Sequence, residues 1–313
     1  MRSAVWVGGP HFRIEERPTP EPGPGEVRVR VHACGVCLTD VHTVDGLLRE
    51  SQPPREMGHE FGGTVEALGP GVHDLEVGTP VVATGAPGYA DQAIVAAARA
   101  FPLPRGVPLE HAVFAEPIVC CATAVEQAAL PLGAAVLLTG AGPMGLLTLQ
   151  LAKHGGATRA LVSDPNPARR ELARRMGADE VVDPLATDLQ AAVQAFTRGR
   201  GVDVAFECAG RPEPLQDCIA AVTRQGTVVM VGVNSRTSQL ELKLHDFHFR
   251  FLKLIGSYGG PNRGGFRAAT QLLGQLDLAP LISHRYELAE IETAFEVART
   301  GQGAKVLVGG GLA

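Results

Sequence analysis

The chain has 313 residues, of which 45% are hydrophobic and 19% are charged, and this composition predicts a packed globular protein of about two domains. The formal net charge of −5 gives no reason to expect a nucleic acid or an anionic membrane as a partner. No apolar run approaches the roughly 18 residues of a membrane span, and the N-terminus has no long apolar signal segment, so we expect a cytoplasmic protein.

Residues 1–118 are rich in glycine and proline, and turn signals such as PEPGPGE separate short segments that are typical of strands. The strand-like segments are AVWV, EVRVRVHAC, GTVEAL and TPVVAT. This pattern predicts an irregular, mostly β domain.

From residue 119 to residue 258, short apolar segments typical of buried strands alternate with helical segments. The predicted strands are AAVLLTG, RALVSD, EVVD, VDVAFECAG, GTVVMVGV and LKLIGSYGG. Alternation of this kind predicts right-handed βαβ units, and hence an α/β domain with a doubly wound parallel sheet. Residues 259–313 return to a mixed pattern of helix and strand, and we expect them to complete the first domain.

A glycine-rich segment, TGAGPMG, follows the first predicted strand of the α/β region and opens a helix. Gly140, Gly142 and Gly145 fit G-x-G-x-x-G, in which glycines permit a tight turn, close approach to a pyrophosphate, and close packing of helix on strand. The helix N-terminus adds N–H donors and a positive dipole end. The segment predicts a dinucleotide site, and the alternative is a glycine-rich turn without a ligand.

Asp164 ends the next predicted strand, where an acid accepts hydrogen bonds from the adenosine ribose of a dinucleotide. A carboxylate in that position repels a 2′-phosphate, which favours NAD over NADP. Arg169 and Arg170 lie close enough in sequence to offset this repulsion. The alternative role of Asp164 is that of a helix N-cap before Pro165.

The segments CLTDVH (37–42) and GHE (58–60) bring together a thiol, a hydroxyl, two acids and two imidazoles. A catalytic zinc takes three protein ligands and keeps one open position, and Cys37 and His59 are suitable ligands. Taken alone, each residue also fits a structural role in a core. A redox pair of Cys34 and Cys37 belongs beside a βαβ pattern, which begins only about a hundred residues later, so we disfavour it.

Five segments, in their order and spacing, resemble the zinc-dependent medium-chain alcohol and polyol dehydrogenases, which include the sorbitol and threonine dehydrogenases. They are HACGVCLTDVH, GHEFGGTVEALGPGV, AEPIVCCATAVEQA, TGAGPMG and GAKVLV, and together they extend over nearly the whole chain. The resemblance implies a GroES-like catalytic domain formed by residues 1–118 and 259–313, and a Rossmann dinucleotide-binding domain formed by residues 119–258.

The same resemblance implies one catalytic zinc per chain. Cys37 falls on the first ligand position of the family and His59 falls on the second. Glu116 falls on the third position of polyol-type members, and Glu60 is a second acid that ligates in its place in some members. The sequence leaves the choice between these two carboxylates open.

Four further residues match positions around the zinc in the family. Asp40 matches an acid that orients the ligand histidine, and its alternative is a turn or N-cap acid. Thr39 and His42 match a proton relay, with a capping threonine and a surface histidine as alternatives. Lys305 matches a basic residue near the cofactor phosphates or near Glu60, with a surface lysine as the alternative.

The resemblance also implies which residues contact the NAD cofactor. These expected contacts are Gly140, Gly142, Pro143, Met144, Gly145, Asp164, Arg169, Val231, Val233 and Lys305. Many relatives insert a lobe in which four closely spaced cysteines hold a structural zinc. The segment TPVVATGAPGYADQAI (79–94) contains no cysteine, so we expect this lobe and its zinc to be missing.

The implied activity is hydride transfer between NAD and a secondary alcohol, which is a polyol, cyclitol, sugar-like alcohol or amino alcohol. The partners are the small-molecule alcohol or ketone and further copies of the chain in a homodimer or homotetramer. One alternative is a zinc-free quinone or enone reductase, which would have no need of Cys37, His59 and Glu116 together. Another is a non-catalytic nucleotide-binding protein, against which the intact ligand and relay positions argue.

Overall fold

The computed structural model describes residues 1–48, 51–259 and 263–311. The chain folds into two compact units, residues 1–117 with 262–313 and residues 118–261. Gly260, the last residue of the predicted strand LKLIGSYGG, lies outside the described residues.

The strands and helices of the first unit come from both ends of the chain. The N-terminal elements are β1 (Arg2–Gly8), β2 (His11–Glu16), β3 (Glu26–Gly35), α1 (Leu38–Val44), β4 (Arg55–Glu56), β5 (Glu60–Leu68), β6 (Pro80–Ala83), β7 (Gln92–Ala96) and β8 (Ala100–Pro102). Helix α2 (Ala115–Gln127) contains the division between the units.

The second unit continues the alternation of strand and helix. Its elements are β9 (Ala135–Thr139), α3 (Pro143–His154), β10 (Arg159–Ser163), α4 (Pro167–Arg175), β11 (Glu180–Val182), α5 (Leu189–Thr197), β12 (Val202–Glu207), α6 (Pro212–Ala221), β13 (Val222–Met230), α7 (Leu244–Phe249) and β14 (Lys253–Gly256). The chain then returns to the first unit with α8 (Arg263–Leu272), β15 (Ile282–Tyr286), α9 (Ile291–Thr300) and β16 (Lys305–Val308).

The main sheet of the first unit has the strand order β15-β16-β3-β5-β6-β8, and β7 also pairs with β3. Antiparallel pairing sets Gly35, the last residue of β3, opposite Glu60 of β5 and opposite Leu307 of β16. The end of β3 therefore lies between the first residue of β5 and the strand that begins at Lys305. The chain leaves β3 at this point and enters α1.

Alternating apolar residues explain why β3 forms a half-buried strand. Val27, Val29 and Val31 point to one face and are buried there. They belong to a core that also receives Val41 and Val44 from one face of α1, where they stand three residues apart. This packing fixes α1 against the sheet at the end of β3.

The second unit is built on a parallel sheet with the strand order β11-β10-β9-β12-β13-β14. The central strand β9 is buried along its whole length, as its continuous apolar run AVLLT predicts for a strand covered on both faces. The predicted fold class, a doubly wound α/β domain together with a mostly β GroES-like domain, is confirmed.

One helix begins earlier than the sequence pattern indicated. The pattern predicted a helix over TAVEQAAL, whereas α2 starts at Ala115 and has Glu116 and Pro117 in its first turn. A proline is tolerated in the first turn, and an acid there is stabilised by the helix dipole. None of the helices in the described ranges is long and apolar enough to cross a lipid bilayer.

Candidate functional site

Cys37 stands directly before α1 and caps it. Its backbone is extended, with φ −89° and ψ 141°, and its Sγ accepts the backbone N–H of Thr39 at 3.4 Å. The Thr39 hydroxyl donates to the same sulfur at 2.9 Å. The first turn of α1 therefore holds the thiol at the end of β3, and Cys37 rather than Asp40 is the N-cap.

The imidazole of His59 is held from one side by Asp40. Its Nδ1 lies 3.3 Å from Oδ1 of Asp40, which is a buried residue, and its Nε2 lies 3.5 Å from Oγ1 of Thr39. An ionised carboxylate only accepts hydrogen bonds, so Nδ1 carries a hydrogen and Nε2 faces the thiol and hydroxyl. This is the orientation that a histidine ligand needs to bind a metal through Nε2.

Burial and neighbouring charges both shift the pKa values of the two ligand candidates. Burial alone lowers the pKa of His59, but hydrogen bonds with Asp40 and Cys37 outweigh it and raise this pKa from 6.5 to about 12. Burial and the negative charge of Glu60 raise the pKa of the Cys37 thiol, and His59 and Lys305 oppose this rise. A metal ion binds thiolate and neutral imidazole, so its binding here releases protons.

Glu60 forms a buried ion pair with Lys305. Nζ of Lys305 lies 2.5 Å from Oε2 of Glu60, and the two residues are 4% and 2% exposed. Burial lowers the pKa of Lys305, but the charges of Glu60 and Cys37 outweigh it, so the amine stays protonated. Gly35 makes room for this pair, because a Cβ there would come within 2.5 Å of Oε2.

The ligand atoms of Cys37, His59 and Glu60 all lie within 4.8 Å of one another, and no other such group of three occurs in the described part of the chain. Zinc bonds to sulfur, nitrogen and oxygen ligands measure about 2.0–2.3 Å, so one ion between these atoms fits the spacing. Glu116 is not part of this group, although its charge acts on Lys305. The donor set of one thiol, one imidazole and one carboxylate fits zinc.

His42 lies one helical turn beyond Thr39 on α1, so both side chains lie on the same side of the helix. The ring is half-buried, and its Nδ1 is buried without a hydrogen-bond partner among the described residues. Burial lowers the pKa of His42, against a smaller effect of Asp45. The imidazole is therefore neutral near pH 7 and able to accept a proton.

The glycine-rich turn after β9 has the geometry of a phosphate cradle. Gly140 adopts φ +95°, and a Cβ on Gly145 would come within 1.9 Å of the carbonyl oxygen of Gly140. Gly142 is the N-cap of α3, and a Cβ added there would meet nothing within 4 Å, which leaves open space beside the helix N-terminus. Pro143 and Met144 follow in the first turn of α3.

Asp164 follows β10 and is 3% exposed. Its Oδ2 accepts the N–H of Ala141 at 2.7 Å and its Oδ1 accepts the N–H of Asn166 at 2.8 Å. Asn166, not Asp164, is the N-cap of α4. The carboxylate therefore joins the loop after β10 to the glycine-rich turn, and its negative charge lies beside that turn.

The two arginines near Asp164 differ in their surroundings. The guanidinium of Arg170 donates to the carbonyl oxygens of Asp164 and Pro165 and pairs with Asp183 at 3.1 Å. Arg169 is half-buried in the first turn of α4, and its backbone N–H donates to Asn166. The guanidinium of Arg170 is thus engaged by three groups of its own unit.

Val231 and Val233 follow β13 in the same unit. Val231 is buried and donates its N–H to the carbonyl oxygen of Glu207 at 2.8 Å, whereas Val233 is exposed. The sequence reasoning missed Glu207, which ends β12 with 0% exposure and whose Oε1 accepts two backbone N–H groups of the following loop, each at 2.7 Å. An acid after the apolar residues of the predicted buried strand VDVAFECAG was the signal that could have identified it.

Tyr89 is a second residue that the sequence reasoning missed. It is 1% exposed, and its hydroxyl donates to Oδ2 of Asp40 at 2.8 Å. It lies in the segment GAPGYAD between β6 and β7, where nothing in the sequence separates a buried tyrosine from a surface one.

Comparison with known proteins identifies the class. Residues 23–127 match the model of the alcohol dehydrogenase GroES-like domain, and residues 143–275 match that of the zinc-binding dehydrogenases. The L-threonine 3-dehydrogenase of Pyrococcus horikoshii is 33% identical, with 94% of each chain covered. The 2-dehydro-3-deoxy-L-galactonate 5-dehydrogenase of Pseudoalteromonas atlantica is 32% identical, with 98% of each covered.

A solved structure agrees with these relatives. A zinc-binding dehydrogenase from Sinorhizobium meliloti, bound to NADP, superposes with a TM-score of 0.91 at 30% identity and 98% coverage of both chains. The chain therefore belongs to the zinc-dependent medium-chain alcohol and polyol dehydrogenase family, and the resemblance found in the sequence is confirmed. It is an oxidoreductase that uses a nicotinamide cofactor and zinc.

The Lys305–Glu60 pair gives a stability prediction. Lys305→Met leaves Glu60 as a buried charge without its partner, so we expect the free energy of unfolding of the metal-free protein to fall by about 3–5 kcal/mol. Urea denaturation followed by the fluorescence of Trp6, the single tryptophan, reports on the first unit.

The control is Arg13→Met, which removes one of the two arginine partners of Glu15 at the surface of the same unit and should lower the free energy of unfolding far less. Adding Glu60→Gln to Lys305→Met should recover part of the loss, because no buried charge then remains. Equal losses in Lys305→Met and Arg13→Met would contradict the prediction.

Proposed function

We propose that this protein oxidises a secondary alcohol of the polyol or amino-alcohol class, reversibly, with NAD as the hydride acceptor and one zinc held by the first unit. The proposal rests on one observation: the ligand atoms of Cys37, His59 and Glu60 lie within 4.8 Å of one another. The Thr39 hydroxyl lies beside Cys37 and His59. The names of the threonine and galactonate dehydrogenases support the substrate class. Residues 1–118 with 259–313 act as the catalytic domain, and residues 119–258 bind the dinucleotide.

Glu60 is the third zinc ligand in this proposal. Its carboxylate lies with Cys37 and His59, and only one of its oxygens is bonded to Lys305. Three protein ligands leave a fourth position open for substrate, as in catalytic zinc sites. Glu116 lies in the first turn of α2 and contributes its charge near Lys305.

The residues around the zinc ligands transfer the substrate proton and orient His59. When bound, zinc lowers the pKa of a substrate hydroxyl and the nicotinamide accepts a hydride. The Thr39 hydroxyl lies beside Sγ of Cys37 and Nε2 of His59, so it is the group that receives the substrate proton. The neutral imidazole of His42 takes the proton onward, and Asp40 keeps His59 in its tautomer.

The test of this function joins metal content with turnover. Zinc-supplemented protein should contain one zinc per chain and reduce NAD with at least one member of a panel of polyols, cyclitols and amino alcohols such as threonine. Cys37→Ser, His59→Ala and Glu60→Gln should each lose zinc and activity, because each removes one of three ligands.

The matched control is His154→Ala, which removes an exposed histidine at the end of α3. It should keep zinc and activity. Two zincs per chain, or none, would refute the single-site proposal, and loss of zinc in Glu116→Gln but not in Glu60→Gln would reassign the third ligand. Turnover without metal would favour a zinc-free reductase.

The expected preference for NAD rests on the negative charge of Asp164 beside the glycine-rich turn. The guanidinium of Arg170 is already bonded to the carbonyl oxygen of Asp164 and paired with Asp183. A like-charge pair about 4 Å apart repels by about 1–4 kcal/mol, and about 1.4 kcal/mol corresponds to a factor of ten. We therefore expect kcat/KM to favour NAD over NADP by at least about tenfold.

Asp164→Asn should reduce this preference, because it removes the negative charge and keeps an acceptor for the N–H of Ala141 or Asn166. Asp179→Asn is the control, since Asp179 also accepts a backbone N–H in the second unit, from Ala160 at 2.7 Å. A wild-type preference for NADP, the cofactor bound by the Sinorhizobium relative, would show that an arginine decides the pocket instead.

The proposed proton relay predicts that replacing Thr39 and replacing His42 reduce activity by different amounts. General acid–base contributions are about 10²–10⁴-fold, and water can replace a group that lies nearer to solvent, so His42→Ala should lose activity at the low end of this range. The loss should be largest at low pH, where solvent base is scarce. Thr39→Val removes the hydroxyl next to the ligand atoms and should cost more, with zinc content unchanged.

The measurement is a pH–rate profile of alcohol oxidation for the wild type and both variants, with zinc determined in parallel. His11→Ala, in the exposed strand β2, is the control for His42→Ala. A His42→Ala profile that overlays the wild type would exclude His42 from proton transfer.

We also propose that the chain forms a homodimer or homotetramer through the second unit. The edge strand β14 and its flanks expose the apolar side chains of Leu244, Phe249, Phe251 and Tyr258. Large exposed apolar patches mark surfaces that bind another protein. A molar mass of one chain by light scattering would exclude this assembly.

A further inference from the structure

The carboxylate of Asp40 is held at both oxygens. Oδ1 lies 3.3 Å from Nδ1 of His59, and Oδ2 accepts the hydroxyl of Tyr89 at 2.8 Å. Both Asp40 and Tyr89 are buried, at 7% and 1% exposure. The three side chains thus form a continuous series of polar contacts, with a hydrogen bond from the tyrosine hydroxyl to the carboxylate and an ion-pair contact from the carboxylate to the imidazole.

The backbone around Tyr89 fixes where its hydroxyl lies. The N–H of Tyr89 donates to the carbonyl oxygen of Met57 at 3.2 Å, and the carbonyl oxygen of Tyr89 accepts the N–H of Ala4 at 2.9 Å. The ring packs edge-on against Phe295, with centroids 5.6 Å apart and an interplanar angle of 69°. Met57 precedes His59 by two residues, so the same contacts that hold the tyrosine also hold the segment bearing the imidazole.

The hydroxyl of Tyr89 is a donor at any ordinary pH. Burial and the charge of Asp40 raise the pKa of Tyr89 well above 10, so the phenol stays neutral. A buried carboxylate with a single partner leaves its other oxygen unsatisfied, and rotation of the group about χ2 then costs little. The second hydrogen bond removes that freedom, because it fixes the plane of the carboxylate and therefore the direction in which Oδ1 meets the imidazole.

We propose that Tyr89 is a positioning residue for the metal site, which acts through Asp40 to hold the His59 imidazole with Nε2 turned toward the ligand atoms of Cys37 and Glu60. The inference rests on the proposed zinc site. It assigns a role to the segment 84–91 between β6 and β7. In this chain a short loop delivers one tyrosine hydroxyl to the group that orients a ligand.

The competing explanation is that the ring of Tyr89 only fills space in the core and that its hydroxyl has no role. This explanation makes a different prediction. Phenylalanine fills the same space, so Tyr89→Phe would then leave metal binding unchanged. If the hydroxyl positions Asp40, the same substitution weakens zinc binding while the protein remains folded. Replacement of groups that hydrogen-bond to metal ligands costs about 10–100-fold in metal affinity or activity. Tyr89 contacts Asp40 and not a metal ligand itself, so we expect zinc affinity to fall by about tenfold, at the low end of this range.

The experiment compares Tyr89→Phe with Tyr286→Phe, which removes a hydroxyl from β15 of the same unit. The dissociation constant of zinc is measured by competition with a chromophoric chelator, and the absorption spectrum of the cobalt(II)-substituted protein reports on ligand geometry. We expect Tyr89→Phe to raise the zinc dissociation constant about tenfold and to alter the cobalt spectrum, whereas Tyr286→Phe matches the wild type.

A double-mutant cycle with Asp40→Asn separates the proposed route from a general weakening. If Tyr89 acts through Asp40, Tyr89→Phe has little further effect on zinc affinity once Asp40 is replaced. Unchanged zinc affinity and cobalt spectrum in Tyr89→Phe would overturn the proposal, and so would additive losses in the cycle. A Tyr89→Phe protein that fails to fold would also overturn it, because the hydroxyl would then serve the fold. Failure of the wild type to bind zinc would instead count against the proposed function.

Discussion

The ion pair between Lys305 and Glu60 is the contact on which the site of the first unit depends. It joins the first residue of β16 to the first residue of β5 across 245 positions of sequence. Two charges withdrawn from water cost several kcal/mol each, so the pair persists only because the two groups neutralise each other at short distance and because Gly35 leaves room for both. Without β16, Glu60 would be an uncompensated charge beside the thiol and imidazole.

Each candidate ligand is held by different residues, and these residues differ in how far they lie from the ligand in sequence. Cys37 is held locally, by the first turn of the helix that it caps. His59 is held through Asp40, which in turn receives the hydroxyl of Tyr89 from a loop about fifty residues away in sequence. Glu60 depends on the far end of the chain. Supports of independent origin keep a site in one arrangement, because no single local change releases all three ligands.

Two buried carboxylates do comparable work in the second unit. Asp164 directly follows β10 and Glu207 ends β12, and these parallel strands lie on either side of β9. Asp164 accepts backbone N–H groups at both of its oxygens, one of them from the glycine-rich turn itself, whereas Glu207 accepts two N–H groups of the following loop at Oε1 alone. The turn is therefore braced by a neighbouring strand, which leaves the N-terminus of α3 accessible for a phosphate. The carboxylate of Asp164 keeps its negative charge while it accepts these hydrogen bonds, so it still repels another negative group beside the glycine-rich turn.

The sequence by itself determined the fold class and the position of the glycine-rich turn, because strand and helix periodicity and the spacing of Gly140 and Gly145 are local properties of the chain. It also identified Cys37 and His59 as ligand candidates, since their residue types restrict the chemistry. Only the tertiary structure decided that Glu60 rather than Glu116 lies with them, and that Lys305 faces Glu60. It alone placed Tyr89 against Asp40. These contacts join residues far apart in sequence, and their partners are set by strand register and burial, which no local pattern specifies.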